Sequence, residues 1–298
     1  MQRVVDVEGL VVRFRRFQLG PIDLHLPGQG SLGLAGANGA GKSTILDVLS
    51  GLRKPDEGTV RVFGESITSL SAATRARLGL VREELALADH ERVGSLLRTA
   101  AAFYRRWDWR VLDGLMRRFA IDASLAVAQL SKGARLKLQL AMALCHGADL
   151  LYLDEPFSGL DVGTRRELGD LLRGARSERG LSIVLTSHEP EELARLCDRV
   201  VVLAGGRVVL EVGPADLAAR WQRWRFTAPR HLPLPENVYE QRLEPFHYSW
   251  VAPAGRGGIE AYLSIHGARD VARCDVALAD VLTAVLMKGG DEPTCLPR

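Results

Sequence analysis

Cysteine is scarce and scattered in this sequence of 298 residues: Cys145, Cys197, Cys274 and Cys295 lie far apart, with no CxxC pair. That spacing excludes a redox motif or a zinc-ligand set and points to reduced thiols in a cytosolic setting. No apolar run approaches the length of about 18 residues that a membrane-spanning helix needs. The opening stretch MQRVVDVEGL lacks the apolar stretch of a secretory signal. A cytosolic protein is therefore expected, with any membrane role supplied through a partner. Charge of one sign is missing as well. The 39 basic and 36 acidic residues leave a formal +3, too little to point to nucleic acid. Low-complexity tracts and internal repeats are absent.

What is present is ordinary globular composition, 47% hydrophobic and 25% charged, in a chain long enough for one large domain or two modest ones. Three short apolar runs read as buried strands: the start of SLGLAGANGAGKSTILDVLSG (31–51), LLYLDEP (150–156) and LSIVLTSH (181–188). Continuous apolar strands alternating with helical segments suggest a parallel sheet covered on both faces. VVVLAGGRVVLEV (200–212), with Gly205-Gly206 between β-branched runs, is a hairpin signal. The stretch 72–148 is rich in Ala, Leu and Arg and reads as helical, with an aromatic knot of Phe103, Tyr104, Trp107 and Trp109. Beyond about residue 222 prolines, glycines and alternating aromatics suggest a small β-containing appendage. Its tryptophans, with Trp221 just before them, are expected to pack into a core.

GANGAGKST (36–44) fits G-x-x-x-x-G-K-[ST] completely. Glycines Gly36, Gly39 and Gly41 let the backbone curl so that successive N–H groups face an anion. Asn38, Ala40 and Thr44 complete the cradle, Lys42 supplies charge for the β- and γ-phosphates, and the Ser43 hydroxyl is placed to ligate Mg²⁺. The helix that follows adds its N-terminal dipole. Asp154 and Glu155 end an apolar strand downstream. There Asp154 would orient a metal and its waters, and Glu155 would polarise an attacking water.

With these pieces in order, residues 3–215 resemble an ATP-binding subunit of an ABC transporter. GANGAGKST resembles the family's Walker A, LLYLDE its Walker B with Glu155 as catalytic glutamate, and SGLD (158–161) the D-loop, with Asp161 as a helix cap as well. TSH ends in His188 at the switch-histidine position, and Phe14 occupies the place of the aromatic that stacks on adenine. The resemblance implies an α/β fold, a P-loop NTPase with a RecA-like core sheet flanked by helices. An antiparallel β subdomain, an inserted α-helical subdomain (about 72–148) and a small α+β C-terminal appendage would complete it. The expected division is an ATPase domain over 1–222 and an accessory domain over 223–298. ATP and Mg²⁺ are the implied cofactors.

This sequence departs from the family pattern at two places. Where the family carries glutamine, LGLVREE offers Glu83, a carboxylate that can ligate Mg²⁺ but cannot donate a hydrogen bond while ionised. Altered metal dependence or slower turnover is expected. The signature, LSGGQ in its common form, is Leu130-Ser131-Lys132-Gly133-Ala134 here. Ser131, Lys132 and Gly133 would meet a γ-phosphate held by a second subunit, while Leu136, Leu140, Ala143 and Leu144 make the same helix amphipathic. The resemblance therefore implies a dimer with two ATP molecules between its subunits and a separately encoded permease, on which the chain would sit peripherally at the cytoplasmic face of the membrane. Export is the leaning. An ABC ATPase that moves no substrate, or a regulatory subunit with weak hydrolysis, stays open beside it.

Overall fold

The computed structural model describes residues 3–82, 87–235, 238–254 and 258–288. The chain begins with β1 (Arg3–Arg13), β2 (Gln18–Pro27) and β3 (Ser31–Gly36), then α1 (Lys42–Leu49). Next come β4 (Glu57–Val62), β5 (Glu65–Ser66), α2 (Ala72–Arg75) and β6 (Leu78–Arg82). Helices α3 (Val93–Ala101), α4 (Trp109–Arg118) and α5 (Lys132–Cys145) lead to β7 (Leu150–Asp154). The chain continues through α6 (Val162–Arg179), β8 (Ser182–Ser187), α7 (Pro190–Leu196), β9 (Arg199–Ala204) and β10 (Arg207–Val212). It closes with α8 (Leu217–Arg220), β11 (Trp221–Thr227), β12 (Tyr239–Glu244), β13 (His247–Pro253), α9 (Ile259–Ile265), β14 (Arg269–Cys274) and α10 (Leu278–Lys288).

Among the described residues these strands form three sheets: β2-β1-β4-β5, the central β10-β9-β3-β8-β7-β6, and β12-β13-β11-β14. In the central sheet β9, β3, β8, β7 and β6 run parallel, and only β10 is antiparallel. The continuous apolar runs follow from burial on both faces. Along β7, Leu150 and Tyr152 point to the core beneath α1 and the first sheet, while Leu151 and Leu153 point to the core beneath α5, α6 and α7. The Gly205-Gly206 hairpin has φ of 54° and 77°, and a Cβ at Gly206 would lie 2.1 Å from the Gln18 carbonyl oxygen, so glycine is required there.

Within 72–148, which the sequence suggests is helical, Leu78–Arg82 instead form β6, the edge of the central sheet. LGLVR is five residues long, too short for periodicity to separate strand from helix. The aromatic knot divides. Tyr104 stacks on His146 at 4.2 Å and Trp107 packs against the main core, while Phe103 and Trp109 are 78% and 46% exposed.

The third sheet has its own core of Trp224, Phe226, Tyr248, Trp250 and Leu263. From its other face Trp221 and Val251 join the main core, together with Val281, Leu282 and Val285 of α10, which lies on α7. Arg223 fixes this junction, donating to Asp280 at 2.7 Å and to Ser249 at 2.9 Å. Cys145, Cys197 and Cys274 are free thiols, and burial pushes the Cys145 thiol up to about 12. Among the described residues no helix is long and apolar enough to cross a membrane.

Candidate nucleotide site

The site lies at the C-terminal ends of neighbouring parallel strands, where loops leave a sheet and helix N-termini enter it. The loop after β3 carries Gly39 at φ 81° and Gly41 at φ 105°, conformations that L side chains rarely adopt. A Cβ at Gly41 would stand 2.4 Å from Leu19 Cδ1. Gly41 brings no side chain to cap α1, so the first-turn N–H groups of that helix have no side-chain acceptor. The helix is only eight residues long, too short to persist alone. It is held by Ile45, Leu46, Val48 and Leu49, each 0% exposed, whose burial contributes about 1.5–3 kcal/mol apiece. A rigid loop therefore presents N–H groups and a dipole end to a cleft of about 670 Å³.

Phe14, Phe17, Asn38, Lys42, Ser43 and Glu155 are among the residues lining that cleft. Lys42 is buried and folds over the loop, donating to the Gly36 carbonyl at 2.7 Å and the Ala37 carbonyl at 3.3 Å. Its Nζ lies 3.4 Å from Glu155 Oε1, an ion pair without hydrogen-bond geometry that leaves Oε1 with no donor. Glu155 Oε2 is 2.8 Å from His188 Nδ1, which must carry the proton if the carboxylate is ionised. Phe14 follows β1 in a tight turn closed by Phe14 N–H to the Phe17 carbonyl. The Arg53 guanidinium lies 4.8 Å from the Phe14 ring centroid. Gly36 ends β3, Thr44 lies in the first turn of α1, and between them Ala40 N–H donates to the Ala37 carbonyl at 3.1 Å.

Strand register builds the acidic side of the site. Asp154 is paired with Thr186 on β8 and with Arg82 on β6. Ser43 Oγ donates to Asp154 Oδ1 at 3.1 Å, and the buried Thr186 hydroxyl donates to the same oxygen at 2.7 Å. The Thr186 hydroxyl also accepts from Glu155 N–H at 2.9 Å. Glu155 itself has φ 47°, a strained conformation for a non-glycine residue that this bond helps to hold. Ser43 and Asp154 are hard oxygen donors beside a phosphate loop. That set fits Mg²⁺, which takes one or two protein oxygens and completes its shell with phosphate oxygens and water. No cluster of three or more His, Cys, Asp or Glu suited to a metal occurs among the described residues. Glu83, the third expected ligand, lies outside the described residues.

The signature segment sits elsewhere. Ser131 caps α5, its Oγ accepting from Ala134 N–H at 3.2 Å, and the hydroxyl proton remains available to donate. A Cβ at Gly133 would lie 3.1 Å from Leu160, and one at Gly159 would lie 3.2 Å from Lys132 Nζ. Signature and D-loop therefore adjoin one another, and none of 130–134 lines the phosphate-loop cleft. Asp161 caps α6 through Thr164 N–H at 2.9 Å, and that bond holds its carboxyl below the usual range.

Sequence reasoning passed over Thr186, Arg82 and Arg165. Arg165 on α6 donates to the Leu160 carbonyl at 2.9 Å and to Glu189 at 2.5 Å, linking the D-loop to the segment after His188. Glu192 nearby is held at about 7, chiefly by desolvation and further by the charges of Glu189 and Glu155, against the lowering effect of the Ser187 hydroxyl and Arg165.

A family model described as ABC transporter matches residues 19–158. The daunorubicin/doxorubicin resistance ATP-binding protein DrrA of Streptomyces peucetius is 33% identical over 224 residues, covering 72% of this chain and 67% of its own length. The chain belongs to the ABC transporter family. The Nod factor export ATP-binding protein I of Paraburkholderia xenovorans is 36% identical over 210 residues, 66% of each chain. The methionine import ATP-binding protein MetN of Ralstonia nicotianae is 34% identical over 222 residues, 69% of this chain and 63% of its own. This ABC chain thus spans slightly less than two thirds of these two relatives. A solved structure titled as the ATP binding subunit of an ABC transporter superposes with a TM-score of 0.66 at 26% identity, over 72% of this chain and 92% of that one.

Proposed function

We propose that the chain is the ATP-binding and hydrolysing subunit of an ABC transporter, and that it dimerises around two ATP molecules to drive a separate permease. The observation that carries this reading is the meeting of three groups at one cleft. They are a phosphate loop with an uncapped helix start, the Ser43–Asp154 oxygen pair, and Glu155 held 2.8 Å from His188. In the proposed cycle Lys42 leaves the Gly36 carbonyl for the phosphates, and Phe14 stacks on the base. His188 Nδ1–H donates to Glu155 Oε2, which leaves Oε1 to take the proton of the attacking water. Mg²⁺, held by Ser43 and through Asp154, would neutralise charge on the β- and γ-phosphates, with Glu83 a further candidate ligand.

The second half of each site is proposed to be the partner's Ser131, Lys132 and Gly133 segment, because this segment lies beside its own D-loop and off its own cleft. Residues 1–222 would form the ATPase domain and 223–298 an accessory domain, with the protein on the cytoplasmic face of the membrane through its permease. Export is the proposed direction, and the Nod factor export relative supports it. The methionine import relative shows that a chain of this family at similar identity also serves import, so vesicle transport with the co-purified permease decides direction. Dimerisation is tested on a sizing column with Glu155→Gln and Mg-ATP. A two-chain species that disappears without ATP is expected, and a monomer under both conditions contradicts the shared site.

A further inference from the structure

Packing explains most of what borders the site, but it does not explain Arg82. This residue ends β6, in register beside Asp154. Its guanidinium Nη2 lies 2.8 Å from Asp47 Oδ1 and 3.3 Å from Asp154 Oδ2, and the side chain is 19% exposed. Its Nε is buried and has no acceptor among the described residues. The backbone cannot drift away, because Arg82 N–H donates to Oε1 of the buried Gln139 on α5 at 3.0 Å. Asp154 Oδ1 is already taken by Ser43 and Thr186, so with Arg82 both of its oxygens are engaged. Asp47 stands one turn after Ser43 on α1, facing the same way. A cation built into the chain thus lies between two carboxylates where the proposed function brings a divalent metal.

We propose that Arg82 is a positioning residue that sets the metal requirement of the nucleotide site: its guanidinium orients Asp154 and lowers the site's affinity for the divalent cation. The inference rests on the reading that magnesium nucleotide binds at Ser43 and Asp154. Its physical basis is Coulombic. A guanidinium 2.8 Å from the Asp47 carboxylate and 3.3 Å from that of Asp154 offsets part of the negative field that attracts a divalent cation, and it repels the cation directly. Partial exposure screens that field, which leaves an effect on the order of tenfold.

The test is a magnesium titration of the binding of a fluorescent ATP analogue to the full chain, in wild type, Arg82→Met and Arg82→Lys. Arg82→Met is expected to lower the half-saturating magnesium concentration about tenfold, while binding without metal changes little. Arg82→Lys keeps the charge and should stay within about threefold of wild type. A loss of packing alone would weaken binding with and without metal equally, and the lysine would not rescue it. Should Arg82→Met fail to fold, Asp47→Asn removes the other acid and leaves Arg82 to Asp154, which should raise the magnesium requirement. A folded Arg82→Met with an unchanged requirement, or an Asp47→Asn whose requirement falls, overturns the proposal. If wild type binds the analogue with no magnesium dependence at all, the metal assignment of Ser43 and Asp154 fails first and the role of Arg82 falls with it.

Discussion

Replacing Thr186 by valine removes one hydroxyl and almost no volume, so what it costs is the hydrogen bonding of that oxygen. The side chain is 0% exposed. Its oxygen donates to Asp154 Oδ1 at 2.7 Å and accepts from Glu155 N–H at 2.9 Å. Valine leaves the Glu155 N–H without its side-chain acceptor, at about 1–3 kcal/mol, and removes one donor from a carboxylate, at about 1.5–3 kcal/mol. Ser43 and Arg82 still hold Asp154, which puts the second cost at its lower end. About 3 kcal/mol in all is expected, read as a lower urea midpoint at unchanged slope. Thr186→Ser keeps the hydroxyl and loses one methyl, for about 1 kcal/mol. ATPase activity should fall in the valine variant too, because Glu155 is held at φ 47° partly by this bond. A valine variant within about 0.5 kcal/mol of wild type, or a serine variant as damaging as valine, refutes the bridge.

Glu192 and Gly41 offer independent checks. The Glu192 carboxyl titrates at about 7 in the folded chain against 4.5 as its ordinary value, so the folded state holds the extra proton between those values and stability falls as pH rises through them. Glu192→Gln should abolish that loss, gaining about 1 kcal/mol on wild type between pH 5 and 7.5 after allowance for solvent screening; a difference that does not change with pH contradicts the burial argument. Gly41→Ala places a Cβ 2.4 Å from Leu19 Cδ1 at φ 105°, so nucleotide affinity should drop and the thermal midpoint with it, by about 1–2 kcal/mol of backbone strain plus the clash. An alanine variant that binds nucleotide as wild type does would show that the loop does not need this conformation.

The phosphate loop was legible because nearly every position in it is chemically forced: glycine where φ is positive, and lysine and serine where the proposed phosphate and metal would sit. The strands β3, β7 and β8 were legible because burial on both faces leaves continuous apolar runs. Arg82 and Thr186 were not, since what makes them matter is the register that sets them on either side of Asp154, and register between strands far apart in sequence leaves no local mark. Thr186 did carry a weak signal, a hydroxyl between apolar residues and the expected switch histidine. The aromatic knot was unreadable for a related reason. Tyr104 finds His146, a residue 42 positions on, while Phe103 beside it faces solvent, and composition alone cannot separate them. The tryptophans of the C-terminal region were easier, because alternate residues of β11 and β13 face a core on each side of the sheet.

Steady-state ATP hydrolysis by the purified chain, alone and with its co-purified membrane partner, tests the central claim most directly when wild type is set against Glu155→Gln. Loss of the general base is expected to slow turnover by about a hundredfold or more while ATP binding survives. Equal rates in the two proteins with the partner present would contradict the assignment of Glu155 and the mechanism built on it.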